Sequence, residues 1–311
     1  MRLRTLPLAV SGILMGSALA DLSGVASNRS ITFLALLTAI FLQVLSNLAN
    51  DYGDFTKGTD NDKRLGNTRA LQSGNITPQA MLRMIIVFVA LSLICGISLL
   101  YIAAHGQMNY AFILFFLLGL AAIAAAIKYT VGKSAYGYSG FGDVFVFIFF
   151  GLVAVLGVYV LHQGFNWNTP QDNWMILPAA AVGFLSAGVL NTNNVRDIEN
   201  DSASNKNTLV VKIGLSKARV YHWFLIVSAF VCMVLFLTKQ FIHPIQFVSL
   251  LAFIPAFIQA YKVQTLAPSP MFNPLLKQLS LATLLVVVVF VVMQTIALGI
   301  VGYQAIQQFS H

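Results

Sequence analysis

Charged residues are scarce in this sequence of 311 residues, since Asp, Glu, Lys and Arg make up 9% of it and hydrophobic residues 58%. A soluble domain carries about 25% charged residues, so this composition excludes a soluble enzyme. Cysteine is also rare. Cys95 and Cys232 are the only two, and both lie in long apolar runs. The composition therefore excludes a disulfide-stabilised secreted domain and indicates a membrane protein.

Apolar stretches long enough to cross a membrane occur nine times, given that a helical span needs about 20 largely apolar residues. They are 5–22, 31–50, 80–103, 110–128, 142–162, 174–194, 218–237, 245–262 and 275–303. The first resembles a signal peptide, because Arg2 and Arg4 precede it and small residues end it. We interpret it as a retained span. The expected fold is all-α, a polytopic bundle of nine transmembrane helices with two parallel repeats, in one integral-membrane domain over residues 1–311.

Basic residues are distributed unequally between the loops. With a cytoplasmic N-terminus, every Lys and Arg except Arg29 and Lys239 lies on the cytoplasmic side, as the positive-inside rule requires. Acidic residues do not obey that rule, yet all except Asp21 and Asp172 lie on the same side. We expect a multi-pass protein of the inner (plasma) membrane, with its N-terminus in the cytoplasm, its C-terminus outside and its active site on the cytoplasmic side.

Two acidic segments, 50–60 and 193–201, are copies of each other. The matching residues are Asn50, Asp54 and Asp60 in the first copy and Asn193, Asp197 and Asp201 in the second. Each copy is followed by an Asn-Thr pair and by a glycine seven residues after that asparagine, at 67–74 and 207–214. The copies are separated by four spans, an even number. This is a parallel repeat, so both segments can meet at one membrane surface.

Carboxylates that converge from two helices repel one another unless a cation joins them. Residues four apart share a helix face, and oxygen ligands without nearby His or Cys suit Mg²⁺. We expect the metal ligands to be Asp54, Asp60, Asp197 and Asp201. The neighbouring bases exceed what the carboxylates need, and a diphosphate is their natural complement. These bases are Lys63, Arg64, Arg69, Lys128, Lys133, Arg196 and Lys206.

At these segments the sequence resembles the UbiA-type intramembrane prenyltransferases, which have two such motifs on a nine-helix bundle. The strings at 46–54 and 193–197, the run 129–143 and Arg4-Thr5-Leu6-Pro7 resemble in particular the branch that acts on 1,4-dihydroxy-2-naphthoate. The resemblance covers the whole chain. One departure is Gly58, which stands where many relatives have the second Asp of the first motif. The resemblance implies that Asp60 takes that role.

The resemblance implies a reaction with a polyprenyl diphosphate and a small aromatic acid as partners. The prenyl group passes to 1,4-dihydroxy-2-naphthoate with loss of carbon dioxide, giving demethylmenaquinol. Another acceptor, 4-hydroxybenzoate or homogentisate, stays open.

The implied catalytic residues are Asp54, Asp197, Asp201, Arg69 and Lys133. The implied substrate and diphosphate contacts are Asn50, Asn193, Arg196, Lys206, Lys63, Arg64, Lys128 and Tyr129. We expect Asp51 to have a supporting role. Asp143 and Tyr129 either orient the ring or a base, or make ordinary structural hydrogen bonds.

A function of a different class, a cation-coupled secondary transporter, would also use an acidic cluster. It predicts ionisable residues near the bilayer centre, whereas the interiors of the nine stretches are almost free of charge.

The lipid bilayer is an expected partner. We expect neither a nucleic-acid partner nor an obligate protein partner.

Overall fold

Long apolar helices dominate the computed structural model, which describes residues 3–60, 65–66, 69–132, 134–167 and 172–309. They are α1 (Leu6–Leu22), α2 (Arg29–Thr56), α3 (Pro78–Ala103), α4 (Tyr110–Lys128), α5 (Gly142–His162), α6 (Ile176–Arg196), α7 (Leu209–Lys239), α8 (Pro244–Thr265) and α9 (Phe272–Phe309). Eight are long and apolar enough to cross a membrane, while α1 has 17 residues and is shorter. The all-α, polytopic fold class is confirmed, and the predicted stretches coincide with the nine helices.

Polar side chains fix the starts of four of these helices. The side chains of Asn28, Thr77, Asn109 and Thr208 each accept a hydrogen bond from a backbone N–H in the first turn of α2, α3, α4 and α7, respectively. The first N–H groups of a helix have no partner within the helix, and a capping side chain supplies one. Short polar connections can therefore separate long apolar helices.

Two glycines support the parallel repeat. Gly74, before α3, has φ of 73°, and Gly214, inside α7, has φ of 79°. The sequence aligns these two residues, and both adopt the left-handed conformation that glycine tolerates best. Gly214 breaks the regular helix near the start of α7.

The packing of the bundle follows the same repeat. Helix α2 packs extensively against α3, and α6 packs extensively against α7. These two pairs are equivalent when the first copy is superposed on the second. Helix α6 is the most buried span and α4 the least. Close packing against α6 depends on glycine, since a Cβ atom on Gly151 of α5 would lie 2.6 Å from the Cα of Gly183. The repeat thus places the ends of α2 and α6 at the same end of the bundle.

Candidate active site

The first acidic segment occupies the last turns of α2 and the turn that follows. Asp54 is only 2% exposed. The helix ends at Thr56, and Gly58 in the following turn has φ of 70°, a left-handed conformation that glycine tolerates. The backbone N–H groups of Thr59 and Asp60 donate to the carbonyl oxygen of Asp54. The turn therefore brings Asp60 back to the end of the helix.

Arg69 lies in the middle of this segment. Its Nη1 atom is 2.8 Å from Asp54 Oδ2 and 2.7 Å from Asp60 Oδ2. Its Nε atom is 3.3 Å from Asp51 Oδ1, and Nη1 also donates to the carbonyl oxygen of Asn50. Burial alone lowers the pKa of Arg69, but the three carboxylates outweigh it and raise the pKa overall. A fixed positive charge therefore holds the first acidic segment together.

The second acidic segment lies at the end of α6 and in the short helix Ile198–Ala203. Arg196, only 1% exposed, donates from Nε to Asp197 Oδ1 at 2.9 Å. It also donates to the side-chain oxygen of Asn193 at 2.9 Å and to that of Asn273 at 2.6 Å. Arg4 donates to the same oxygen of Asn273. The guanidinium predicted to contact a diphosphate thus lies within the segment and holds Asp197.

Two contacts join the segments to each other. Lys206 Nζ lies 3.7 Å from Asp54 Oδ1 and 3.6 Å from Asp201 Oδ1. Asn200 donates from its side chain to the carbonyl oxygen of Thr59 at 3.0 Å. The sequence predicted that the copies can meet, and the structure brings them into contact at one end of the bundle.

Tyr138, which the sequence did not single out, belongs to this group. Its hydroxyl donates to Asp54 Oδ1 at 2.7 Å and lies 2.6 Å from the hydroxyl of Thr59, while Lys57 Nζ lies 3.9 Å from the centre of its ring. Burial and the charge of Asp54 raise the pKa of Tyr138, so the hydroxyl is protonated and donates. Its place in the run 129–143 was the only sequence signal.

A glycine allows the 129–143 run to approach α2. A Cβ atom on Gly53 would lie 2.5 Å from Thr130 Oγ1, so only glycine fits beside Asp54 without a shift. Thr130 donates to the carbonyl oxygen of Ala49 at 3.0 Å. This contact sets Tyr129 against the site, where burial raises the pKa of its hydroxyl above the ordinary value.

A cavity of about 350 Å³ begins at the acidic segments and continues between the helices. Its charged and polar end is lined by Asn50, Asp54, Arg69, Asn193 and Lys206. Mostly apolar side chains line the rest, chiefly from α1 to α5 and also from α6 and α9. The lining face of α2 extends from Ala35 to Asp54, about 28 Å along the helix axis. The cavity therefore reaches from the charged end through most of the bundle.

The lining of the cavity near its charged end is partly polar and partly aromatic. Polar lining residues include Thr5, Gln43, Ser46 and Asn47, and aromatic lining residues include Tyr129, Tyr136, Phe145 and Phe149. Tyr136 stacks on Phe145 with ring centres 3.9 Å apart. Gln43 donates from Nε2 to the hydroxyl of Thr5 at 2.8 Å. Among the described residues, Gln43 Oε1 and Asn47 Nδ2 have no hydrogen-bond partner.

Other candidate residues lie elsewhere. Lys128 is exposed at the end of α4 and does not line the described cavity. Lys63, Arg64 and Lys133 lie outside the described residues. Asp143 is buried at the start of α5. Within the described part of the chain, no three His, Cys, Asp or Glu side chains are close enough together to hold one metal ion.

The fold and the site define a multi-pass helical membrane protein in which two acidic segments close one end of an apolar cavity. A family model described as the UbiA prenyltransferase family matches residues 9–270. The chain therefore belongs to the UbiA prenyltransferase family, which confirms the resemblance seen in the sequence.

Two relatives are named 1,4-dihydroxy-2-naphthoate octaprenyltransferase. The Escherichia coli protein is 45% identical over 76% of this chain and 74% of its own length. The Haemophilus influenzae protein is 40% identical over 93% of this chain and 92% of its own length.

Solved structures share the fold at lower sequence identity. A UbiA homolog from Aeropyrum pernix K1 superposes with a TM-score of 0.69 at 16% identity and covers 95% of this chain and 98% of its own. A homolog from Archaeoglobus fulgidus bound to DMAPP and Mg²⁺ has a TM-score of 0.58 at 21% identity and covers 93% and 98%. These likenesses support the architecture of the bundle.

Proposed function

We propose that this chain transfers a polyprenyl group from a polyprenyl diphosphate to 1,4-dihydroxy-2-naphthoate. The ring carboxylate leaves as carbon dioxide and the product is demethylmenaquinol, a step of menaquinone biosynthesis. The cavity carries the proposal, because it joins a charged end at Asp54, Arg69 and Lys206 to a long apolar interior. A prenyl diphosphate has the same division between a charged head and an apolar tail. The names of the E. coli and H. influenzae relatives support the naphthoate as acceptor.

The cations at the charged end suit the leaving group. When the bond between the allylic carbon and the diphosphate oxygen breaks, the electron pair stays on the diphosphate and its negative charge increases. Lys206 and Arg69 line the cavity where this charge develops, and preorganised positive groups stabilise such a transition state. The apolar helices around the tail exclude water, which would otherwise capture the allylic cation.

The acidic segments fit Mg²⁺ in their donor chemistry. Asp54, Asp60, Asp197 and Asp201 would hold the ion, and they offer only oxygen atoms. Proteins commonly bind Mg²⁺ through one or two carboxylates together with water and substrate phosphates, so a cluster of three carboxylates is not required. Bound Mg²⁺ would supply positive charge that stabilises the departing diphosphate. The A. fulgidus homolog bound to DMAPP and Mg²⁺ supports this assignment.

The acceptor ring fits among the polar and aromatic lining residues. Tyr129, Tyr136 and Phe145 offer aromatic faces for stacking. Of the polar lining residues, Gln43 and Asn47 have amide atoms without a partner among the described residues, which suit the hydroxyl groups of the acceptor. Arg4 also lines the cavity and supplies a positive charge for the carboxylate. This position places the ring beside the charged end of the cavity, where the allylic cation forms.

Gln43→Leu tests this placement of the acceptor. Loss of one neutral hydrogen bond costs about 0.5–1.5 kcal/mol, so we expect KM for the naphthoate to rise about threefold to tenfold with KM for the donor unchanged. Initial rates with each substrate varied in turn measure both constants. Gln294→Leu is the matched control, because Gln294 is equally buried in α9 and does not line the described cavity. An equal rise in KM for the donor contradicts the placement.

Product mass spectrometry tests the reaction itself. Purified enzyme with Mg²⁺, octaprenyl diphosphate and one acceptor at a time is expected to convert 1,4-dihydroxy-2-naphthoate into the prenylated, decarboxylated quinol. Chelation of the metal is expected to stop the conversion. If only 4-hydroxybenzoate or homogentisate is prenylated, the assignment of the acceptor is wrong and the reaction class stands. If no acceptor is prenylated, the proposed function is wrong.

We also place the acidic end on the cytoplasmic side of the plasma membrane, from the distribution of Lys and Arg between the loops. The soluble naphthoate then reaches the site from the cytoplasm and the lipid donor from the bilayer. Two observations disfavour a cation-coupled transporter. The chain belongs to a prenyltransferase family, and its acidic residues lie together at one end of the bundle.

A further inference from the structure

Helix glycines in this bundle serve two different purposes. At Gly16, Gly151 and Gly183 an added Cβ atom would lie 2.4 to 2.8 Å from an atom of another helix. These glycines allow helices to pack closely. At Gly96 and Gly157 the nearest atom would be 3.8 Å away, which is ordinary contact. Helix packing therefore does not require the second pair to be glycine.

Gly96, Gly119 and Gly157 instead line the cavity from three helices, α3, α4 and α5. A Cβ atom on Gly119 would have no neighbour within 4 Å. Glycine in the middle of a helix is less favourable than alanine by about 0.5–1 kcal/mol. These glycines lower helix stability and are not required for helix packing. What they provide is the open space beside the helix. That space is part of the cavity.

The three glycines lie at similar depths. Thr130, in the loop that follows α4, contacts Asn50, so Tyr129 and Asn50 lie at the same level of the bundle. Gly119 is ten residues from Tyr129 along α4, about 15 Å at the rise of an α-helix. Gly96 lies beside Thr38, about 18 Å from Asn50 along α2, and Gly157 lies beside Phe115, about 21 Å from Tyr129 along α4. The glycines thus surround the deep part of the cavity.

Beyond this level the cavity is lined by apolar side chains. Leu99, Leu100 and Leu161 line its outer end and are at most 7% exposed. Phe115 packs edge-on against Phe165, with ring centres 5.3 Å apart. A chain that extends from the charged end therefore meets the three glycines first and these apolar side chains after them.

We propose that Gly96, Gly119 and Gly157 allow a long prenyl donor to bind by keeping the deep part of the cavity open for its distal isoprene units. The inference rests on the proposed function, since it concerns the tail of the same donor. A short donor such as geranyl diphosphate fills only the region near the charged end. A long donor needs the space beside the glycines, and leucine side chains at these positions would project into that space.

Gly96→Leu and Gly157→Leu test the proposal on two separate helices. Each variant is assayed with geranyl and octaprenyl diphosphates and one acceptor that the unmodified enzyme prenylates. We expect kcat/KM for the octaprenyl donor to fall about tenfold or more relative to that for the geranyl donor, because overpacking a filled site is unfavourable. Gly299→Leu is the matched control. It is the same change in α9, at a position with no neighbour within 4 Å and outside the described cavity lining.

An unchanged ratio of the two donors in both leucine variants overturns the proposal. If a leucine variant loses activity with both donors, Gly96→Ala and Gly157→Ala decide, because they add one methyl group at ordinary contact distance. A fall confined to the octaprenyl donor supports the proposal, and an equal effect on both donors overturns it. Absence of turnover in the unmodified enzyme with every donor and acceptor contradicts the proposed function instead.

Discussion

Asp54→Asn is expected to lower kcat/KM for the prenyl donor by about a hundredfold to a thousandfold, the range seen when one preorganised charge-stabilising group is removed from an active site. Asp54 is buried, accepts hydrogen bonds from Arg69 and Tyr138 and lies near Lys206. Asparagine keeps the shape and removes the charge, so the variant loses the negative centre around which the cations and the proposed metal are arranged. Rates of product formation over a series of Mg²⁺ concentrations measure the effect.

Asp21→Asn is the control for this substitution. Asp21 is exposed near the end of α1, on the face opposite to the acidic segments, and accepts a hydrogen bond from the backbone of Ser27. The same change in charge there is expected to leave kcat/KM unchanged. Full activity of Asp54→Asn, with stability equal to that of the control, shows that this carboxylate takes no part in catalysis.

The helices were predictable from local sequence, and the pairing of the acidic segments was predictable from the number of spans between the two copies. The lengths of the apolar stretches place nine helices, and the end of α2 near Gly58 follows from the conformational freedom of glycine. An even number of spans between the copies places both at one surface. The meeting of Asp54 and Asp201 around Lys206 is the three-dimensional consequence of that count.

The partners of the charged residues could not be predicted in the same way. Tyr138 contacts Asp54 across 84 positions of sequence, and Arg196 contacts Asn273 across 77. No periodicity relates residues so far apart, since their contact depends on how α2, α5, α6 and α9 pack. A basic residue close to an acidic motif in sequence is compatible both with binding a phosphate and with pairing to the motif itself.

The structure shows how much of the positive charge is already engaged by the site's own acids. Arg69 contacts three carboxylates, and Arg196 is paired with Asp197. A buried carboxylate that loses its partner is destabilised strongly. A diphosphate can therefore recruit Arg69 only if the carboxylates of the first segment receive other positive charge. This coupling is the physical reason to expect a metal and a diphosphate at the same place.

Arg196→Gln is expected to destabilise the fold by about 3–5 kcal/mol, because it leaves Asp197 buried without its positive partner. The arginine is 1% exposed and Asp197 3% exposed, so water cannot replace the lost contact. Thermal unfolding of the purified protein in detergent measures the change. The donor KM of the same variant is measured in parallel, since a direct contact with the diphosphate would raise it without a loss of stability.

The double variant Arg196→Gln with Asp197→Asn separates the two roles of this arginine. If Arg196 mainly neutralises Asp197, removal of both charges restores much of the lost stability, since a neutral pair no longer leaves an uncompensated charge in the interior. If Arg196 instead binds the diphosphate, the single variant unfolds at the temperature of the unmodified protein and loses affinity for the donor. In that case its hydrogen bonds to Asn193, Asp197 and Asn273 describe only how it is held before the substrate arrives.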